Sequence, residues 1–114
     1  MTTTIWHNPR CSKSRQTLQL VRDKGDEPAI VEYLKTPPSA DEIRDVLKVL
    51  GIEPRALMRT KEALYKELGL AAVEDDDKLI EAMVANPVLI ERPVVLKDGK
   101  VALGRPPESV LDIL

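Results

Sequence analysis

Between Ser12 and Lys24 apolar side chains return at Leu18, Val21 and, in part, Leu20, which places them on one face of a helix. Gly25 stands where the first residue beyond that helix is expected. Ahead of it, "TTIW" at 3–6 is short and β-prone and stops at Asn8-Pro9, so a strand is predicted to run into a loop. "AIVEYL" at 29–34 is mostly apolar and predicts a second strand. A strand, helix, strand run of this length predicts a right-handed parallel crossover.

The middle of the chain changes period. Ser39 and Glu42 form a capping box ahead of Ile43, Val46, Leu47 and Leu50, and Gly51 follows the last of them. Pro54 suits a first helical position, and Thr60 is placed to cap a helix over 61–68 that ends at Gly69. A further helix is predicted over 76–85, carrying Leu79, Ile80, Met83 and Val84 before Asn86-Pro87. "EDDD" at 74–77 reads as the solvated entry to it, with acidic groups favoured by the positive end of the helix dipole. "VVLKDGKVAL" at 94–103 is two apolar strands around Asp98-Gly99, a strong hairpin signal. Pro106-Pro107 then opens a last helix, with Val110, Leu111 and Ile113 or Leu114 expected to face inward.

These elements predict an α/β protein with a thioredoxin-like mixed four-stranded sheet: βαβ, a helical insertion, then ββα, flanked by helices. No repeat or linker-like stretch interrupts the chain, so one domain over 1–114 is expected, with the insertion at about 39–86.

Composition narrows the partners more than the fold. Hydrophobic residues make up 43% and charged residues 32% of 114, the profile of an ordinary globular domain. A net charge of -2 supplies no general field for nucleic acid or anionic lipid, so neither a nucleic-acid nor a membrane partner is expected. The first residues lack a basic stretch followed by an apolar one, and a single cysteine cannot form an internal disulfide; a cytoplasmic, reducing location is the expectation.

The chemistry gathers in "HNPRCSKSR" at 7–15, which holds the only cysteine, the only histidine and three of the seventeen basic residues. Cys11 precedes the first predicted helix, where unpaired backbone N–H groups favour thiolate over thiol. Arg10, Lys13 and Arg15 act in the same direction, so Cys11 is expected to ionise well below an ordinary thiol and to serve as a nucleophile. For His7 two roles stay open, hydrogen bonding within the loop and charge support for Cys11. One cysteine and one histidine without a carboxylate pattern disfavour a structural metal, and no bound cofactor is expected. Phosphatases of the C-x5-R type need arginine where this chain has Thr17, and thioredoxins need cysteine where it has Ser14. With no second cysteine, whatever bonds to Cys11 must be released by an external thiol such as glutathione.

"HNPRCSKSRQTL" resembles the active-site segment of the glutaredoxin-linked arsenate reductase family, H-N-P-x-C-x-x-S-R. "YLKTPPSADEI", "LGIEPRALMR", "NPVLIERPVV" and "GRPPESVLDIL" resemble further segments of that family, so the likeness covers nearly the whole chain. The resemblance implies a thioredoxin-like fold, reduction of arsenate to arsenite, Cys11 as nucleophile, and glutathione and glutaredoxin as thiol partners. It also implies substrate binding by Arg59, Arg92 and Arg105, whose guanidinium forks suit a tetrahedral dianion. Asn8, Ser14 and Arg15 complete the motif as supporting residues, and Pro93 resembles the cis proline that faces the cysteine in thioredoxin folds. The chain departs from many members in carrying Ser12-Lys13 where they have Gly-Thr, and it lacks the charged tail of longer members. C-x-x-S also resembles monothiol glutaredoxins, which leaves a glutathione-dependent thiol oxidoreductase as an alternative. The polymerase-binding regulators called Spx share the fold but usually carry C-x-x-C, and they form a third reading.

Overall fold

The computed structural model describes residues 3–91 and 93–114. Strands β1 (Thr3–Trp6), β2 (Ala29–Val31), β3 (Val94–Lys97) and β4 (Lys100–Leu103) form one sheet in the order β2-β1-β3-β4. β1 runs parallel to β2 and antiparallel to β3, and β3 pairs antiparallel with β4, so the sheet is mixed as expected. Asp98 and Gly99 both take positive φ, 50° and 78°, which is the backbone a two-residue turn between right-twisted strands requires.

The chain divides into two compact units, Met1–Thr36 with Arg92–Leu114, and Pro37–Glu91. In the first, α1 (Ser12–Asp23) covers the sheet. Residues 14, 17, 18 and 21 follow an i, i+3, i+4, i+7 spacing, and all four are buried. Leu18 and Val21 join Ile5, Val95 and Val110 in the core of this unit, with Ala102, Ile113 and Leu114 packed against it. The helix ends in a Schellman motif: Gly25 N–H donates to Arg22 O and Asp26 N–H to Val21 O, with Gly25 at φ 88°. Just beyond, Lys97 Nζ donates to Asp26 Oδ2 at 2.6 Å, tying the exit of α1 to β3.

Helices fill the second unit. α2 (Ala40–Leu50) starts on the expected capping box, with Ser39 Oγ accepting from Glu42 N–H and Glu42 Oε1 accepting from Ser39 N–H. α3 (Ala63–Glu67) and α4 (Asp76–Ala85) follow, and three short 3-10 turns at Pro54–Leu57, Leu70–Ala72 and Pro87–Leu89 lie between and after them. Ile43, Val46, Leu57, Met83, Leu89 and Ile90 are nearly or wholly shut off from solvent and form its interior. Arg55 braces the unit from one side, donating to Tyr65 Oη and to the carbonyls of Leu70 and Val73.

Three expectations are corrected. β2 ends at Val31 instead of 34, because the Glu32 carbonyl accepts from both Lys35 N–H and Thr36 N–H and the chain turns away from the sheet. α3 begins at Ala63 with Glu62 at its N-cap, not Thr60, since Glu62 N–H is held by Arg59 O in the preceding turn. The C-terminal segment Pro107–Ile113 is a 3-10 helix. Its three-residue repeat turns Pro107 and Val110 into the core while Leu111 is 37% exposed, contrary to the inward position expected for it.

Candidate active site

The nucleophile candidate occupies the N-cap of α1. Cys11 has extended backbone (φ -95°, ψ 121°), its N–H donates to Asn8 O, and its carbonyl accepts the first helical bond from Arg15 N–H. The amides of Ser12, Lys13 and Ser14 therefore precede the helical ladder, which concentrates donor groups at the start of the helix beside the sulfur. Cys11 is half-buried, which separates it from the interior hydrophobes that free cysteines often are.

Ser14, one turn into the helix, is fully buried and fastens the loop ahead of it. Its Oγ accepts from Asn8 N–H at 3.0 Å and lies 2.6 Å from His7 Nδ1. The hydroxyl oxygen has a second lone pair and a proton of its own, so it can either donate to Nδ1 of a neutral ring or accept from a protonated Nδ1, according to the His7 tautomer. Burial pushes the His7 pKa below its ordinary value; Glu32 opposes the shift, and Arg22 and Arg15 add to it. Of the two roles left open for His7, hydrogen bonding within the loop is the one these contacts form.

The loop is pinned at both ends. His7 N–H donates to Val31 O, extending the parallel pairing of β1 with β2 by one bond. Asn8 Oδ1 accepts from Arg10 N–H, an Asx turn that rounds the corner before Cys11, and Arg15 Nη1 donates to Pro9 O at 2.9 Å across it. All three supporting residues of the motif, Asn8, Ser14 and Arg15, thus hold the loop that carries Cys11. A pocket of about 300 Å³ opens beside this loop, lined by His7, Asn8, Pro9, Arg10, Glu32, Leu34 and Lys35.

Arg105 is exposed and lies between Gly104 and Pro106, with a cis peptide bond joining it to Pro106. Gly104 fixes its path: a Cβ there would lie 2.6 Å from both Pro93 Cγ and Thr17 Oγ1, and Gly104 N–H donates to Pro93 O. Pro93 is buried beneath that contact. Arg92 lies outside the described residues, and with it the peptide bond to Pro93 on which the cis-proline expectation falls. Arg59 belongs to the second unit. There Met58 and Ile90 form an isolated antiparallel bridge, and Arg59 Nη1 donates to Glu62 Oε2 at 2.9 Å in a partly shielded ion pair.

Sequence reasoning did not single out Thr17 or Gly104. Thr17 was detectable, since it shares the i+3 spacing of Ser14 on the helical stripe that counting only apolar residues passes over. Among the described residues no group of three or more His, Cys, Asp or Glu side chains could hold a metal ion. No helix among them is long and apolar enough to cross a membrane.

Comparison with known proteins identifies the family. Residues 6–113 match the ArsC family. The chain is 56% identical over 112 residues to an uncharacterized protein of Escherichia coli (strain K12), YfgD, covering 96% of this chain and 94% of that one. It is 49% identical over 114 residues to an arsenate reductase of Escherichia coli, covering 97% of this chain and 79% of the other. The structure of an arsenate reductase from Vibrio cholerae superimposes with a TM-score of 0.96 at 50% identity, covering 100% of this chain and 98% of that one. With a cysteine at the start of the first helix, a mixed four-stranded sheet and a family match over almost its entire length, this chain belongs to the ArsC family.

Proposed function

We propose that the protein is an arsenate reductase in which Cys11 attacks the arsenic of arsenate. The observation that carries the reading is the half-buried cysteine at the N-cap of α1, in a chain about 50% identical to proteins named arsenate reductase. The amides of the first helical turn and the neighbouring Arg10, Lys13 and Arg15 favour the thiolate. Oxyanion binding is proposed for Arg59, Arg92 and Arg105, residue by residue from the family resemblance, because guanidinium groups stay charged and donate in pairs to tetrahedral oxyanions.

In the proposed sequence Cys11 sulfur bonds to arsenic and one arsenate oxygen leaves as water. Glutathione then adds a second sulfur to the arsenic, again with loss of water and with arsenic still pentavalent. A glutaredoxin thiol attacks the glutathione sulfur, and the electron pair of the sulfur–arsenic bond passes to arsenic, reducing it to the trivalent state. The products are a glutathione–glutaredoxin disulfide and arsenite, which hydrolysis frees from Cys11. An external pair of thiols is required because the chain contains no second cysteine. A cytoplasmic location, with its reduced thiol pool, fits this dependence.

The test is arsenite production by the native chain and by Cys11→Ser with glutathione and glutaredoxin supplied. The variant is expected to lose activity by at least about a thousandfold, as removal of a nucleophile does. Equal rates would overturn the mechanism.

A further inference from the structure

The pocket beside the Cys11 loop has a composition that the oxyanion chemistry does not use. Its lining includes apolar Pro9 and Leu34, the latter 41% exposed, and the polar residues His7 and Asn8. Three charged side chains line it: Arg10, Lys35 and Glu32. Arg10 forms no ion pair among the described residues, and its backbone leads directly into Cys11. Lys35 is paired with Glu32 only at 3.8 Å, with side chains 79% and 42% exposed, so the pair is weak and easily exchanged for an incoming partner. The rim therefore offers two cations and one anion around a volume of about 300 Å³, at the small end of ligand pockets.

A bare oxyanion complements neither the acidic group nor the apolar part of the lining. A ligand with two carboxylates, one ammonium and a short aliphatic body complements all of them. We propose that this pocket binds the thiol co-substrate as a γ-glutamyl-type tripeptide thiol, with its carboxylates on Arg10 and Lys35 and its ammonium on Glu32. The proposal rests on the reading of Cys11 as a nucleophile resolved by an external thiol, and it assigns that thiol a place beside the loop that leads into Cys11.

The probe is S-methylglutathione, which keeps the charges and cannot react, titrated into the full chain and followed by amide NMR shifts and calorimetry. Saturable binding is expected, with the largest shifts in residues 8–10 and 32–35. Lys35→Glu and Arg10→Ala, both at exposed positions, are expected to weaken it by about tenfold, as is esterification of both carboxylates of the probe. In turnover, Lys35→Glu should raise KM for glutathione and not KM for arsenate. Absence of saturable binding, shifts confined elsewhere, or unchanged affinity in both variants would overturn the proposal. The two readings fail separately. Arsenite formation without binding of the probe at these residues removes the pocket and keeps the reductase, whereas probe binding by a chain that forms no arsenite keeps the pocket and removes the reductase.

Discussion

One hydroxyl group organises the loop that carries the proposed nucleophile. Ser14 Oγ serves a backbone amide and a buried imidazole at once. Ser14→Ala removes both contacts, leaving the Asn8 amide and His7 Nδ1 to seek new partners. A loss of about 1–3 kcal/mol is expected, the usual consequence of stranding buried polar groups. Chemical denaturation measures that loss, and an accompanying fall in turnover would show that the loop no longer holds Cys11. At this scale the sequence was informative about identity and less so about contact. The cluster of Cys11, His7 and cations in nine positions was plain, as was the helix start. That Ser14 faces inward was not, because a polar residue on an apolar stripe declares itself only when the stripe is indexed by position rather than by hydropathy.

Elements were legible where their ends carry chemistry of their own. Ser39 with Glu42, Gly25, Gly51 and Asp98-Gly99 each dictate local backbone, and α1, α2 and the β3–β4 hairpin fall where these residues place them. Elements whose limits depend on bonds to neighbouring chain were misjudged: β2 stops at a turn around the Glu32 carbonyl, and the double proline at 106–107 leads into a three-fold repeat rather than an α-helix. Between the end of β4 and the first turns of α1, packing is tight at Gly104. Gly104→Ala forces a Cβ to within 2.6 Å of Pro93 and Thr17, and the rigid proline ring has little room to yield. A cost of about 1–3 kcal/mol is expected from such overpacking. Thermal unfolding of the variant measures it, and on the proposal that Arg105 binds the oxyanion a weakened affinity for arsenate or phosphate is expected as well.

At the scale of the molecule, His7 and Asp26 among the described residues shape the expected response to acid. Unfolded imidazole titrates near 6.5, and His7 in the folded chain titrates lower, so the unfolded state takes up a proton first and stability falls as pH drops through 6.5 toward the native value. Asp26, held below its ordinary 3.8 chiefly by the hydrogen bond from Lys97, adds a second loss that begins near 3.8 and is complete once pH passes its native value. Denaturant midpoints followed against pH should show both stages. His7→Gln should flatten the first, and Asp26→Asn should lower stability at neutral pH and converge with the native chain in strong acid. The mixed sheet was legible from the β, α, β opening and the terminal hairpin, whereas the strand order rests on the antiparallel pairing of β1 with β3, which no local signal in the sequence specifies. A single domain over 1–114 was the expectation from sequence, and the two compact units keep it a proposal that coincident unfolding by several probes would support. The early turn at Glu32 has one more effect. It leaves β2, an outermost strand, only three residues of open ladder, while β4 at the opposite margin begins on exposed Lys100. Neither border offers a long, flat template to a stray extended chain, so the same bend that shapes the pocket guards a crowded solution of this protein against sheet-to-sheet aggregation.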